Sequence, residues 1–248
     1  MDLGVVSHIA SLRSSVPLVH WFDGTRTSSA VGSVSPIGYT TMKSIFPWED
    51  LDKFRQLGLN PQHPIMRGLG QDPGVYHQAS VSANSHYDAV PDIVQETMDQ
   101  VAQGTGRHYK LFDYYGDPEA DRVIVIIGSA ASTCEEAVDN LLAAGKKVGV
   151  LKVRPFRPWS VEHFLAAMPT SVKSIAVLDR TKEDLASSIP LHADVLTSLR
   201  ERDMFKKVVC GNYGLGSKEF APSMLRLSST TWMKSRQEFT SHSASMMM

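Results

Sequence analysis

The run Val123-Ile-Val-Ile-Ile127, closed by Gly128, constrains this chain more than any other feature. An unbroken series of β-branched residues leaves no polar face, so the segment reads as a strand buried on both sides of a sheet. The residues after Gly128 have the spacing such a sheet requires. Ser132 or Thr133 is placed to cap a helix with Glu135 and Glu136 in its first turn and Gly145 at its end. Val148–Val153 is the next strand, Ser160 to Met168 a helix, Ser174–Leu178 a strand, Leu191 to Arg202 a helix and Lys207–Cys210 a last strand. Alternating β and α elements predict an α/β domain with a small, mostly parallel, Rossmann-like sheet and helices on both faces.

Upstream the pattern is different. Leu3, Val6, Ile9, Ala10 and Arg13 recur at helical spacing, and Val16–Phe22 reads as a short apolar strand closed by the turn Asp23-Gly24. From about 29 to 108 prolines and glycines are scattered and periodicity is weak, except in 90–102, where Val90, Ile93, Val94, Thr97, Met98 and Val101 form a helical stripe. A stretch this long with so little periodicity is predicted to be a connection that packs on a neighbouring domain.

Charge and cysteine usage exclude several classes. Lys plus Arg number 25 against 26 Asp plus Glu, so no basic surface favours nucleic acid or an anionic membrane. The two cysteines, Cys134 and Cys210, form neither a disulfide framework nor a CxxC unit, which fits a reducing interior. No apolar run approaches the roughly 20 residues of a membrane span, and the nine histidines show no paired metal-ligand spacing. The expected product is soluble and intracellular, in cytoplasm or a mitochondrion-related organelle.

The loops carry the candidate chemistry. Gly128-Ser-Ala-Ala-Ser132 joins a strand to a helix, where backbone amides hold anions, but it lacks the further glycines of a dinucleotide fingerprint. Gly211-Asn-Tyr-Gly-Leu-Gly-Ser-Lys218 lets backbone approach a ligand and adds the charge of Lys218, yet Ser217 precedes Lys218, the reverse of a nucleotide-binding P-loop. Asp23-Gly-Thr-Arg-Thr-Ser28 stands where α/β proteins place functional loops, although Asp23 and Arg26 satisfy one another equally well. Lys152, Arg154 and Arg157 and the run Asp179–Glu183 bring charge to the ends of neighbouring strands, a pattern of structural ion pairs.

Taken together these segments resemble one family. His20-Trp-Phe-Asp-Gly-Thr-Arg-Thr-Ser28 resembles the H-F-F-D-G-F-R-T-S-H-E segment of pyruvate:ferredoxin (flavodoxin) oxidoreductases, and Arg67-Gly-Leu-Gly-Gln-Asp-Pro-Gly-Val-Tyr76 resembles their R-G-T-A-Q-N-P-D-x-Y. In the same order, Thr105–Gly116, Lys152–Pro158, Val177–Glu183 and Tyr213–Pro222 are similar to T-G-R-x-Y-K-L-F-D-Y-V-G, K-V-R-L-Y-R-P, V-L-D-R-T-K-E and Y-G-L-S-S-K-E-F-T-P. The chain departs at Ser29-Ala30, where the family has His-Glu, and at Asp184-Leu-Ala-Ser-Ser, where it has a Pro/Gly-rich turn.

The resemblance implies an internal fragment. Residues 1–116 would be the end of the pyrimidine-binding domain of a thiamine-diphosphate enzyme plus a long connection, 117–221 a transketolase C-terminal-like α/β domain, and 222–248 a disordered tail. It implies a parent that decarboxylates pyruvate oxidatively to acetyl-CoA on thiamine diphosphate and Mg²⁺ and passes electrons through [4Fe-4S] clusters to ferredoxin or flavodoxin, or to NADP. The cofactor-gripping residues would precede Met1 and the redox centres would lie beyond Pro222. No cofactor or metal is then expected on this chain alone, no catalytic residue is assigned, and the chain is expected to be inactive by itself. Its partners would be the remaining parent domains, in a homodimer. Family likeness places Gly211, Gly214, Ser217 and Lys218 near coenzyme A. The alternatives are the related domain of a sulfite reductase flavoprotein subunit and a non-catalytic interaction protein from a degenerate copy.

Overall fold

In the computed structural model, which describes residues 1–24, 26–64 and 70–225, the β-branched run forms the middle of a sheet. In chain order the helices are α1 (Asp2–Ser14), α2 (Arg26–Ser29), α3 (Tyr39–Ile45), α4 (Trp48–Gln56), α5 (Pro73–Ser82), α6 (Asn84–Thr105), α7 (Ala130–Ala143), α8 (Val161–Ala166) and α9 (Pro190–Glu201). The strands are β1 (Phe112–Gly116), β2 (Arg122–Ile127), β3 (Val148–Val153), β4 (Ser174–Asp179) and β5 (Lys207–Asn212). Two compact units result: Met1–Trp21 with Gly32–Lys110, and Phe22–Val31 with the chain from Leu111 onward. The second unit is therefore discontinuous in sequence.

Its five-stranded sheet has the order β1-β3-β2-β4-β5. β2 pairs in parallel with β3 (Val125↔Leu151) and β4 (Val125↔Val177), and β4 with β5 (Val177↔Cys210); β1 runs antiparallel along β3 (Tyr114↔Leu151). The core explains why β2 has no polar face. Ile124 and Ile126 pack with Ala130, Cys134 and Val138 of α7 on one side of the sheet. Val123 and Val125, fully buried, belong to the opposite side by strand alternation. The ring of Phe112 on β1 meets Trp159 at 5.0 Å and Phe164 of α8 at 5.6 Å, both edge-on, and Trp159 Nε1 donates to Ser198 Oγ of α9 at 2.7 Å.

β1 precedes residue 117, where the second domain was expected to start, and the sheet begins at Phe112. Asp113 shows why the strand is held. It binds Arg154 (3.0 Å) and Lys152 (3.1 Å) of the neighbouring β3 region, and Lys152 also reaches Glu135 of α7 at 2.6 Å. Burial pushes the Asp113 carboxyl up, but the hydrogen bonds from Arg154 and Lys152 outweigh it and leave it below the ordinary carboxylate value. β2 separates β3 from β4, so these cations do not meet the Asp179–Glu183 run; Arg157 instead pairs with Asp194 at 2.7 Å.

The first unit is helical. α1 packs along α6, whose Val90, Met98 and Val101 face inward as the stripe predicted, together with Ala102 and with Val6, Ile9 and Ala10. A polar clasp joins their ends: Asp2, 7% exposed, accepts from Arg107 Nε (2.5 Å) and Nη2 (2.9 Å) and from the Tyr109 hydroxyl (2.8 Å). α3, α4 and α5 fall where weak periodicity predicted no elements, and none of them buries a residue. Val16–Phe22 forms no strand. A strand needs a ladder partner, none pairs with it among the described residues, and Val19, Trp21 and Phe22 are exposed. Arg67–Leu69 of the second family-like motif and the tail from 226 to 248 lie outside the described residues.

Candidate functional site

The order of the parallel strands creates one special place. From β2 the chain crosses through α7 to β3, then returns through α8 to β4 on the far side of β2. Crossovers that leave in opposite directions define a switch point between the carboxyl ends of β2 and β4, where doubly wound sheets place their ligands. Gly128-Ser129, Asp179-Arg180 and, from the adjacent β5, Asn212–Gly214 converge there.

The chain itself supplies an anion to this place. Asp23, from the Phe22–Val31 segment, accepts the Ser129 N–H through Oδ2 at 2.7 Å, at the N-terminus of α7, and lies 3.4 Å from Arg180 Nη1 through Oδ1. Its side chain is only 7% exposed. A carboxylate at the start of a helix meets unpaired amides and the positive end of the dipole, a contribution of about 1 kcal/mol. Thr27 adds a hydroxyl contact to Ser129 Oγ at 3.2 Å. Gly128 has φ +94°, and a Cβ there would stand 3.2 Å from both Asp23 Oδ2 and the Tyr213 hydroxyl, so any side chain there would be strained and would push on both groups. The helix starts at Ala130, capped from a distance, and not at Ser132 or Thr133; Glu135 and Glu136 accordingly lie beyond its first turn. Asp23 takes its ion pair from Arg180, whereas the Arg26 side chain is outside the described part.

Arg180 makes a second contact. Its Nε donates to the Gly214 carbonyl at 3.1 Å, tying the end of β4 to the glycine-rich loop. Around it Tyr213 donates its hydroxyl to Ile127 O at 2.6 Å and its amide to Asp179 O at 3.1 Å, and the Asn212 side chain donates to Thr181 O. Asp179 is buried, which raises its carboxyl above the ordinary value against the pull of the Arg180, Leu191 and Thr181 amides. Burial, with the negative charges of Asp23 and Asp179, also pushes the Tyr213 phenol up.

The four residues proposed from sequence separate into two environments. Gly211 is buried inside β5, its position opposite Leu178 in the ladder. Gly214 and Ser217 follow the strand with φ +61° and +63°, Gly216 between them has φ +59°, and Lys218 is exposed. Left-handed residues interspersed in a turn let successive backbone amides face one side, the form of anion-binding concavities, and an exposed Lys beside such a turn suits phosphate groups. Sequence reasoning missed Arg180: its partners Asp23 and Gly214 are remote in the chain, and the only signal was its place in the Asp179–Glu183 run.

Both cysteines are unpaired thiols. Burial pushes Cys134 up to about 12, which removes it as a nucleophile. Among the described residues no three His, Cys, Asp or Glu side chains come together as a metal site, and no helix is long and apolar enough to cross a membrane.

Comparison with known proteins gives this architecture its class. Residues 1–99 match the family model "Pyruvate flavodoxin/ferredoxin oxidoreductase, thiamine diP-bdg", and residues 120–225 match "Pyruvate:ferredoxin oxidoreductase core domain II". The chain belongs to the pyruvate:ferredoxin (flavodoxin) oxidoreductase family, a family of enzymes. It is 52% identical over 91% of its length to a pyruvate:ferredoxin oxidoreductase of Moorella thermoacetica and covers 19% of that protein. It is 47% identical over 89% of its length to a probable pyruvate-flavodoxin oxidoreductase of Escherichia coli, covering 19% of it. A mitochondrial pyruvate dehydrogenase [NADP(+)] of Euglena gracilis is 46% identical over 89% of the chain, which covers 12% of it. The chain thus spans about a fifth or less of the length of these relatives.

Proposed function

We propose that this chain supplies a structural part of a pyruvate:ferredoxin, flavodoxin or NADP oxidoreductase and performs no turnover by itself. The observation that carries the reading is the pairing of close identity along nine-tenths of the chain with coverage of about a fifth of the relatives. The whole enzyme would decarboxylate pyruvate to acetyl-CoA, with thiamine diphosphate, Mg²⁺ and [4Fe-4S] clusters held by the rest of the polypeptide. This reading assigns those groups to the remaining domains; among the described residues no three His, Cys, Asp or Glu side chains come together as a metal site. Relatives named for flavodoxin and for NADP match about equally well, so acceptor choice belongs to the remaining domains.

The chain's contribution is scaffold and surface. In the first unit Tyr39, Trp48, Phe54 and Leu59 on and beside α3 and α4, and Tyr76 on α5, are all more than half exposed. This reading assigns these exposed apolar side chains to contacts with the remaining parent domains. A homodimeric parent and a cytoplasmic or organellar home belong to the same reading. Residues 1–110, without 22–31, would complete the pyrimidine-binding domain, and the second unit would be the transketolase C-terminal-like domain.

For coenzyme A, whose thiol accepts the acetyl group, the fitting residues are Gly214, Ser217 and Lys218: left-handed backbone followed by an exposed ammonium. Gly211, within β5, leads the strand into that turn and stays with the same proposal. The decisive experiment supplies the rest of a homologous enzyme as a separate polypeptide. Alone, the chain should form no acetyl-CoA from pyruvate with cofactors and acceptor added. With the complementing polypeptide it should co-purify, and substituting Trp48 and Phe54 by Ser should reduce that capture. Turnover by the isolated chain refutes the proposal.

A further inference from the structure

The glycine-rich loop is built from unusual backbone. Between the bonds from Tyr213 N–H to Asp179 O (3.1 Å) and from Lys218 N–H to Leu215 O (3.2 Å) lie three left-handed residues. Glycine-rich backbone of this kind binds a ligand well only if something outside it fixes its course. The Arg180 guanidinium is that element. Its Nε donates to Gly214 O at 3.1 Å, at the start of the loop, and a Cβ on Gly214 would stand 3.2 Å from the same nitrogen, so backbone and guanidinium are in direct contact. The other side of the fork points to Asp23 Oδ1 at 3.4 Å. Asp23 in turn is fixed by the Ser129 N–H at 2.7 Å. A planar guanidinium held on two sides has a set direction, which an ammonium does not reproduce.

We propose that Arg180 is a positioning residue for the loop Gly214–Lys218, with Asp23 as the counter-ion that fixes its orientation. The proposal rests, for its functional weight, on the reading of this loop as a coenzyme A contact. Asp23 fills the anion position of the switch point so that the ligand-facing role passes to the neighbouring loop. Segment 22–31 therefore serves the second unit as a strap that governs the order of a site it need not touch.

The test compares the full chain with Arg180→Ala, Arg180→Lys and Asp23→Asn by residue-resolved amide hydrogen exchange. A lost charge-assisted hydrogen bond is expected to speed exchange at the Tyr213 and Lys218 amides on the order of tenfold in Arg180→Ala. Arg180→Lys keeps the pairing with Asp23 but lacks the Nε donor, so it should rescue only in part. Asp23→Asn should loosen the same two amides, less strongly, while Val125 and Val177 in the sheet keep their rates. Unchanged Tyr213 and Lys218 rates in Arg180→Ala overturn the proposal, as does an equal acceleration throughout the sheet, which would make Arg180 a support of the whole fold. A second arm measures coenzyme A binding in the complemented enzyme. A loosened loop with unaltered binding leaves the positioning role standing and refutes the coenzyme A reading alone.

Discussion

Gly149 offers a demanding check on the packing of the edge strand β1. It lies on β3 opposite Gly116, and a Cβ built there would stand 2.1 Å from the Tyr114 hydroxyl, 2.5 Å from Cζ and 2.7 Å from Cε2. Those distances are inside contact range, so Gly149→Ala must drive the Tyr114 ring out of place. The ring gives up the hydrogen bond from its hydroxyl to Asp117 O at 2.6 Å, worth about 1 kcal/mol. Forced overpacking adds about 1–3 kcal/mol, while the stiffer unfolded chain returns about 0.4–1 kcal/mol. The expected net loss is about 1–3.6 kcal/mol, read as a fall of roughly 1 M in the urea midpoint by circular dichroism. The cause is isolated by repeating the substitution in a Tyr114→Ala background, where the obstructing ring is gone and Gly149→Ala should be neutral or slightly stabilising. An equal loss in both backgrounds would refute the reasoning.

The same structure fixes three other outcomes. The Arg107 hydrogen bond holds the Asp2 carboxyl below its ordinary value despite its burial; the stability it adds is complete above the unfolded carboxylate pKa of about 3.9 and is lost as pH falls through the lower folded value. The gap in urea midpoint between wild type and Asp2→Asn should therefore be wide at pH 7 and close in strong acid; a gap that grows on acidification contradicts the clasp. Cys134, fully buried with its thiol raised to about 12, should resist iodoacetamide at pH 8 until denaturant is added, while the half-buried Cys210 reacts first by mass spectrometry. Phe164, with no exposed surface and ring contacts to Phe112 and Trp159, should cost about 3–5 kcal/mol when changed to Ala, by equilibrium unfolding.

The parallel part of the sheet was legible because burial on both faces leaves an unambiguous mark: β2, β3, β4 and β5 stand where the apolar runs are. β1 was not. Phe112-Asp-Tyr-Tyr-Gly116 carries a charge and a glycine, features of an edge that satisfies itself through Lys152 and Arg154 rather than through apolar alternation. α3 to α5 were invisible for a related reason, since helices that bury nothing within the chain have no stripe to read. The expected start of α7 was misplaced because caps are sought nearby, whereas its amide partner Asp23 comes from far upstream. In the candidate site Gly214, Ser217 and Lys218 could be named from composition; Gly211 could not be separated from them without the ladder that buries it. Arg180 needed the fold, because its role depends on which distant residues the switch point brings together.

The strap has a consequence for how the chain is made. Asp23 and Ser129 are separated by 106 residues, so at synthesis rates of about 5–20 residues per second the aspartate waits roughly 5–20 seconds before its amide partner exists. Arg180 arrives later still. The second unit therefore cannot mature as its own strands emerge; it must retain, or later recapture, a segment translated long before. Closing so long a loop adds an entropic delay that the local βαβ crossovers do not incur. Completion of this unit therefore depends on a contact that its own βαβ crossovers do not provide.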